Sequence, residues 1–92
     1  MSNKTVRICN KLGLHVRAAT LLVQLAGSFD AEITISLGDQ AADAKSIMEV
    51  LMLAATQGSD VVLAVQGESP AEEALILEAL SQLINNRFNE AE

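Results

Sequence analysis

The sequence predicts an α+β fold, a four-stranded antiparallel sheet covered on one face by three helices in the order β-α-β-β-α-β-α. Three features predict it: stretches of apolar alternation, stretches with apolar residues three and four apart, and two helix-start signals of the Ser-x-x-Glu type. Residues 5–9 alternate with Val6 and Ile8 on one face, a short half-buried strand in which Cys9 packs as a small hydrophobe. Asn10 to Gly13 supply turn residues, with Gly13 free to take a positive φ. Ala18, Ala19, Leu22, Leu25 and Ala26 then predict a helix from about residue 16 to a stop at Gly27.

Residues 31–37 alternate without a fault, Gly38-Asp39 suits a two-residue hairpin turn, and residues 40–44 form the return strand. Ser46-Ile47-Met48-Glu49 reads as a capping box opening a helix that runs to Gly58. Residues 60–66, centred on Val61 to Val65, are apolar and β-branched enough for a central strand. Ser69-Pro70-Ala71-Glu72 repeats the start signal with proline at the first helical position, and the last helix continues through Ala74, Leu77, Leu80 and Ile84. Pattern does not settle the strand order, because a ferredoxin-like split β-α-β domain shares the first six elements.

Ninety-two residues, half of them hydrophobic, suffice for one domain spanning 1–92 with its own core. One His and one Cys cannot build a zinc site or a redox pair, and neither a cofactor nor a metal is implied. The net charge of −6 argues against a phosphate-backbone binder, so no nucleic-acid partner is expected. The charge is polarised along the chain. Lys4, Arg7, Lys11 and Arg17 precede the first acid, Asp30, whereas the stretch from Ser46 onward has eight acids against Arg87. That basic start suits an anionic ligand or an acidic partner. The longest apolar run is six residues, 50–55, against the roughly 18 a membrane span needs. With no secretory signal visible, the cytoplasm is the expected location, without membrane insertion.

The lone histidine, His15, falls where the loop ends and the first helix begins. There, unpaired first-turn amides and the helix dipole favour an anion, and Arg17 adds a guanidinium that can grip two oxygens. The same field favours a neutral, nucleophilic imidazole, as phosphoryl capture requires. The plain alternative is that His15 merely caps the helix. A metal role lacks a second ligand nearby, and a Ser-His-Asp triad lacks a nucleophile elbow.

The segment Asn-Lys-Leu-Gly-Leu-His-Val-Arg-Ala-Ala-Thr (10–20) resembles the active-site segment of the HPr family, the histidine phosphocarriers of the phosphoenolpyruvate-dependent phosphotransferase system. Lys45-Ser46-Ile47-Met48, followed by Leu51-Met52, resembles the family's second signature, and the resemblance extends over essentially the whole chain. It implies an open-faced β-sandwich and a monomeric carrier in a phosphotransfer relay, as distinct from a stand-alone enzyme. His15 would accept a phosphoryl group on Nδ1 from phosphorylated enzyme I and pass it to an EIIA-type acceptor, with Arg17 steadying the phosphohistidine. Ser46 would be the regulatory site of an HPr kinase/phosphorylase, although a capping role accounts for the same residue.

Two departures stand out: Val16 and Ala18 occupy positions where the family usually has Ala and Pro. The residues before Gly13 resemble the nitrogen-related (NPr) branch as much as the sugar-transport branch. Ile47, Met48, Leu51 and Met52 are too apolar for one short helix to bury entirely. Ile47 and Met48 are expected in an exposed docking patch, with Leu51 another candidate for it, and Leu51 or Met52 is expected to pack in the core. The competing reading is a non-catalytic regulatory interaction module of the same fold, in which His15 is structural.

Overall fold

A computed structural model of the chain describes residues 1–91. Its elements are β1 (Ser2–Arg7), α1 (Val16–Gly27), β2 (Glu32–Leu37), β3 (Gln40–Asp43), α2 (Ile47–Met52), β4 (Asp60–Gln66) and α3 (Pro70–Asn85), followed by a 3-10 turn at Arg87–Asn89. The four strands form one antiparallel sheet in the order β1-β4-β2-β3, so the last strand fills the slot between the first two. That arrangement settles the order that pattern left open.

Alternation along β4 explains why only one face is covered. Val61, Leu63 and Val65 are fully buried, while Val62 between them and Asp60 and Gln66 at the strand ends face outward. The helical layer meets the buried face: α3 lies across β1 and β4, and α1 packs against α2 and α3. Ala18, Ala19, Leu22 and Ala26 form the buried stripe of α1, and Ile76, Leu80 and Ile84 that of α3. Ala74, expected on the buried side of α3, is exposed, because Ile76 and Leu77 take the inward positions.

Both start signals work by half. Ser46 Oγ accepts from the Glu49 amide at 3.4 Å and Ser69 Oγ from the Glu72 amide at 3.1 Å. Neither glutamate reaches back to its serine. Glu49 instead accepts from the Asp43 amide and Glu72 from the Glu68 amide, tying each helix to the residues leading into it.

Two expectations are corrected. The helix opened by Ser46 stops at Met52, six residues before Gly58, because Ala54 turns to φ 53° and Ala55 turns its carbonyl to Leu14. The first strand begins at Ser2 and ends at Arg7, so Cys9 lies beyond it and its thiol donates to the Ile84 carbonyl at 3.2 Å. The charges segregated along the sequence also meet in space. Arg7 pairs with Asp60 at 3.0 Å and Lys4 with Glu78 at 3.7 Å, so these two basic residues are faced by acids of the later chain.

A buried carboxylate clamps the far end of the sheet. Glu73, 4% exposed, accepts from Ser2 Oγ at 2.7 Å and the Gly67 amide at 2.9 Å, with the Met1 ammonium 3.5 Å away. The Ser2 hydroxyl first, then the Gly67 amide and the terminal ammonium, hold its carboxyl below the usual range against the effect of burial.

Candidate functional site

The loop before α1 is held from both sides. The Gly13 amide donates to the Asn10 carbonyl at 3.2 Å, closing a turn in which Gly13 adopts φ 68°. A Cβ there would meet the Ala55 carbonyl oxygen at 2.5 Å and Thr56 Cα at 2.9 Å, so glycine is required twice over. The next amide, Leu14, donates to that Ala55 carbonyl at 2.9 Å, and the Leu14 side chain is buried. His15 follows as the N-cap of α1, with extended φ −84° and ψ −177°.

His15 does not cap the helix with its side chain. Its carbonyl accepts from the Ala19 amide at 2.8 Å, the first helical hydrogen bond, while the imidazole turns elsewhere. The ring, 29% exposed, meets the chain's C-terminal segment, with Nε2 lying 2.5 Å from Glu90 Oε2. The other oxygen, Oε1, accepts from Asn10 Nδ2 at 3.0 Å, and Asn10 Nδ2 also donates to the Gly13 carbonyl at 2.8 Å. Asn10 is completely buried. The Asn10 amide first, then His15 and the nearby Arg17 guanidinium, hold the Glu90 carboxyl below its usual range against the effect of burial.

What brings Glu90 there is a left-handed turn. Arg87, Phe88 and Asn89 take φ of 56°, 53° and 63° in succession, a conformation costly for side-chain-bearing residues. Phe88, 1% exposed, anchors it in the core beneath. Nothing in the spacing of residue 90 links it to residue 15. The only signal was an aromatic isolated in a polar tail.

Arg17 is exposed on the first turn of α1 and, among the described residues, has no hydrogen-bond or ion-pair partner. Together with Lys11, Leu12, Glu90 and Ala91 it lines a shallow hollow of about 360 Å³. The guanidinium is thus placed to receive oxygens of an anion arriving at the hollow. No group of three or more His, Cys, Asp or Glu side chains suited to a metal ion occurs among the described residues.

Around this end the surface is apolar. Leu12 is 66% exposed, Val16 64%, Met48 68% and Met52 75%, with α2 packed beside α1. Ile47 and Leu51 are half-buried against the core. Of Leu51 and Met52, Leu51 is the one that packs against the core while Met52 lies outside, and Ile47 is more covered than expected, since the six-residue helix turns only Val50 fully inward. Ser46 is half-buried at the cap of α2. Of the two departures from the familiar motif, Val16 carries its branched side chain at the surface, while Ala18 is fully buried.

Comparison with known proteins agrees across the chain. A family model described as the PTS HPr component phosphorylation site matches residues 2–86. The phosphocarrier protein HPr of Cupriavidus necator is 47% identical over 92 residues, covering all of both chains. The phosphocarrier protein NPr of Shewanella violacea is also 47% identical, over 96% of this chain and 93% of that one. Among solved structures, HPr-C-His from Thermoanaerobacter tengcongensis superposes with a TM-score of 0.92 at 37% identity, covering both chains completely.

Proposed function

Given that the chain belongs to the HPr family of phosphocarrier proteins of the phosphotransferase system, we propose that His15 accepts a phosphoryl group on Nδ1 from phosphorylated enzyme I and hands it to an EIIA-type acceptor. The observation carrying this reading is the engagement of His15: Nε2 is taken by Glu90 and the ring is not spent on capping, which leaves Nδ1 at the start of α1. Arg17, exposed and without a direct partner among the described residues, steadies the phosphoryl oxygens. The transfer needs little else from the carrier, because a phosphorylated imidazole is a good leaving group and the partner supplies the remaining catalysis.

Met48, with Ile47 and Leu51 behind it, forms the docking surface for these partners on a monomeric carrier in the cytoplasm, the whole chain acting as one domain. Ser46 is a regulatory phosphorylation site for an HPr kinase/phosphorylase where the cell has one. A phosphate there meets the amides of the first turn of α2, and its charge repels an acidic partner.

The Glu90 contact also gives a specific footing to the second reading, an interaction module in which His15 is structural. One experiment separates the two. Incubation with enzyme I and labelled phosphoenolpyruvate transfers acid-labile, alkali-stable label to the wild type and none to His15→Ala. Absence of label on the wild type with a competent enzyme I leaves the interaction module. Offering sugar-type and nitrogen-type EIIA acceptors to the labelled protein then assigns the branch.

A further inference from the structure

We propose that the Gly13 carbonyl, Asn10 and Glu90 form a directional hydrogen-bond relay that locks His15 in its Nε2–H tautomer, making Asn10 and Glu90 positioning residues for phosphoryl transfer. This inference rests on the phosphocarrier reading and adds the device that selects the nucleophilic nitrogen.

The direction follows from which groups can only accept. The Gly13 carbonyl has no proton to give, so the amide nitrogen of Asn10, 2.8 Å away, must face it. Reversing the Asn10 amide would set its oxygen against that carbonyl and against Glu90 Oε1 together. The second N–H of Asn10 therefore points at Glu90 Oε1, 3.0 Å away, and favours the ionised carboxylate. An ionised carboxylate accepts only, so the 2.5 Å contact between Oε2 and His15 Nε2 requires the ring proton on Nε2. A neutral imidazole carries one such proton, which leaves the lone pair on Nδ1.

The burial pattern fits a group kept for orientation. Asn10 is 0% exposed, and among the described residues its Oδ1 is buried without a partner. An orphaned acceptor costs stability that a side chain serving only to pack would avoid. The Glu90 side chain is 9% exposed, so water competes weakly for the imidazole proton. The other charged groups at the hollow are Arg17 from α1 and Lys11 from the preceding loop; neither can accept that proton.

The relay also spares the reaction a proton transfer. The phosphorus bond to the donor breaks with its electron pair returning to the donor, and the Nδ1 lone pair forms the new N–P bond. The Nε2 proton stays in place, so the ring becomes cationic and Glu90 balances it across one hydrogen bond. Onward transfer to the acceptor returns the pair to Nδ1 and restores the neutral Nε2–H ring.

Glu90→Gln tests this without changing the side chain's size. The Gln oxygen must face the fixed Asn10 amide, which turns its NH2 toward His15 Nε2 and makes that nitrogen an acceptor. In ¹⁵N spectra of the neutral ring, the wild type should show a protonated Nε2 and an unprotonated Nδ1. Glu90→Gln should shift the population toward Nδ1–H and Glu90→Ala should leave a mixture. Phosphoryl acceptance from enzyme I should fall about 10- to 100-fold in Glu90→Gln and less in Glu90→Ala, with partial recovery in Glu90→Asp. A wild type that takes label, beside a Glu90→Gln protein with the same tautomer and rate, overturns the relay and leaves the phosphocarrier reading standing. A wild type that takes no label from a competent enzyme I overturns both.

Discussion

The Leu14 amide and the Ala55 carbonyl share a 2.9 Å hydrogen bond, and through it the loop after α2 carries the loop that presents His15. The packing is tight because Gly13, directly before Leu14, lies against the same carbonyl. Replacing Gly13 by Ala forces a Cβ into backbone atoms and a side chain into left-handed φ. We expect Gly13→Ala to lower the unfolding free energy by about 2–4 kcal/mol, read by urea denaturation, with the Leu14 amide losing hydrogen-exchange protection. Unchanged protection would show that the loop is held by other means.

Arg17 is exposed and, among the described residues, has no direct partner, so its removal should not unfold the chain. Arg17→Glu removes the cation and brings a second carboxylate toward Glu90 and the incoming phosphoryl group. Transfer from enzyme I should slow about 10²-fold while the melting temperature stays within a degree or two of wild type, about the scatter of a neutral surface change. Equal transfer rates would remove Arg17 from the site.

Met48 is 68% exposed beside α1, where truncation loses little core contact. Met48→Ala should weaken enzyme I binding by about 1–2 kcal/mol without a change in stability, as calorimetric titration against thermal unfolding would reveal. Wild-type affinity would move the docking surface elsewhere.

Phe88 is buried at the centre of three left-handed residues and is what repays their strain. Phe88→Ala should cost about 3 kcal/mol and release Glu90 from His15. Its transfer defect should then match that of Glu90→Ala. A variant that loses stability yet transfers like wild type would separate the anchor from the site.

Glu73 links stability to pH. Its folded carboxyl lies below the unfolded value, so its contribution is full above the unfolded value and is lost as pH falls through the folded one. Glu73→Gln should therefore be less stable than wild type at neutral pH, and the gap should close on acidification below the ordinary carboxyl range. A gap independent of pH in urea titrations would assign the effect to packing instead.

Periodicity made the layer order legible because apolar spacing is a local property. The Gly27 stop, the Gly38-Asp39 turn and the bounds of β4 follow from residues within one turn of each position. Strand order and the early end of α2 were not legible, since each depends on a partner far along the chain, Ala55 being drawn away to Leu14. The candidate site divides the same way. His15, Arg17 and Ser46 could be found from motifs, whereas Asn10 looked like an ordinary turn residue and Glu90 like one more surface acid. Both come to the site through tertiary contacts across eighty and seventy-five positions, Asn10 with Glu90 and Glu90 with His15.

The place of β4 between β1 and β2 governs when the sheet can close. A chain emerging from its N-terminus can close the β2–β3 hairpin early, but β1 waits without a ladder partner until residues 60–66 arrive. Pairing over so long a separation carries a loop-closure cost and slows folding. The histidine loop waits as well, because Ala55 and Glu90 both come later in the chain. A nascent chain thus carries its histidine loop through most of its synthesis without the Ala55 and Glu90 contacts, which form only once the later chain has arrived.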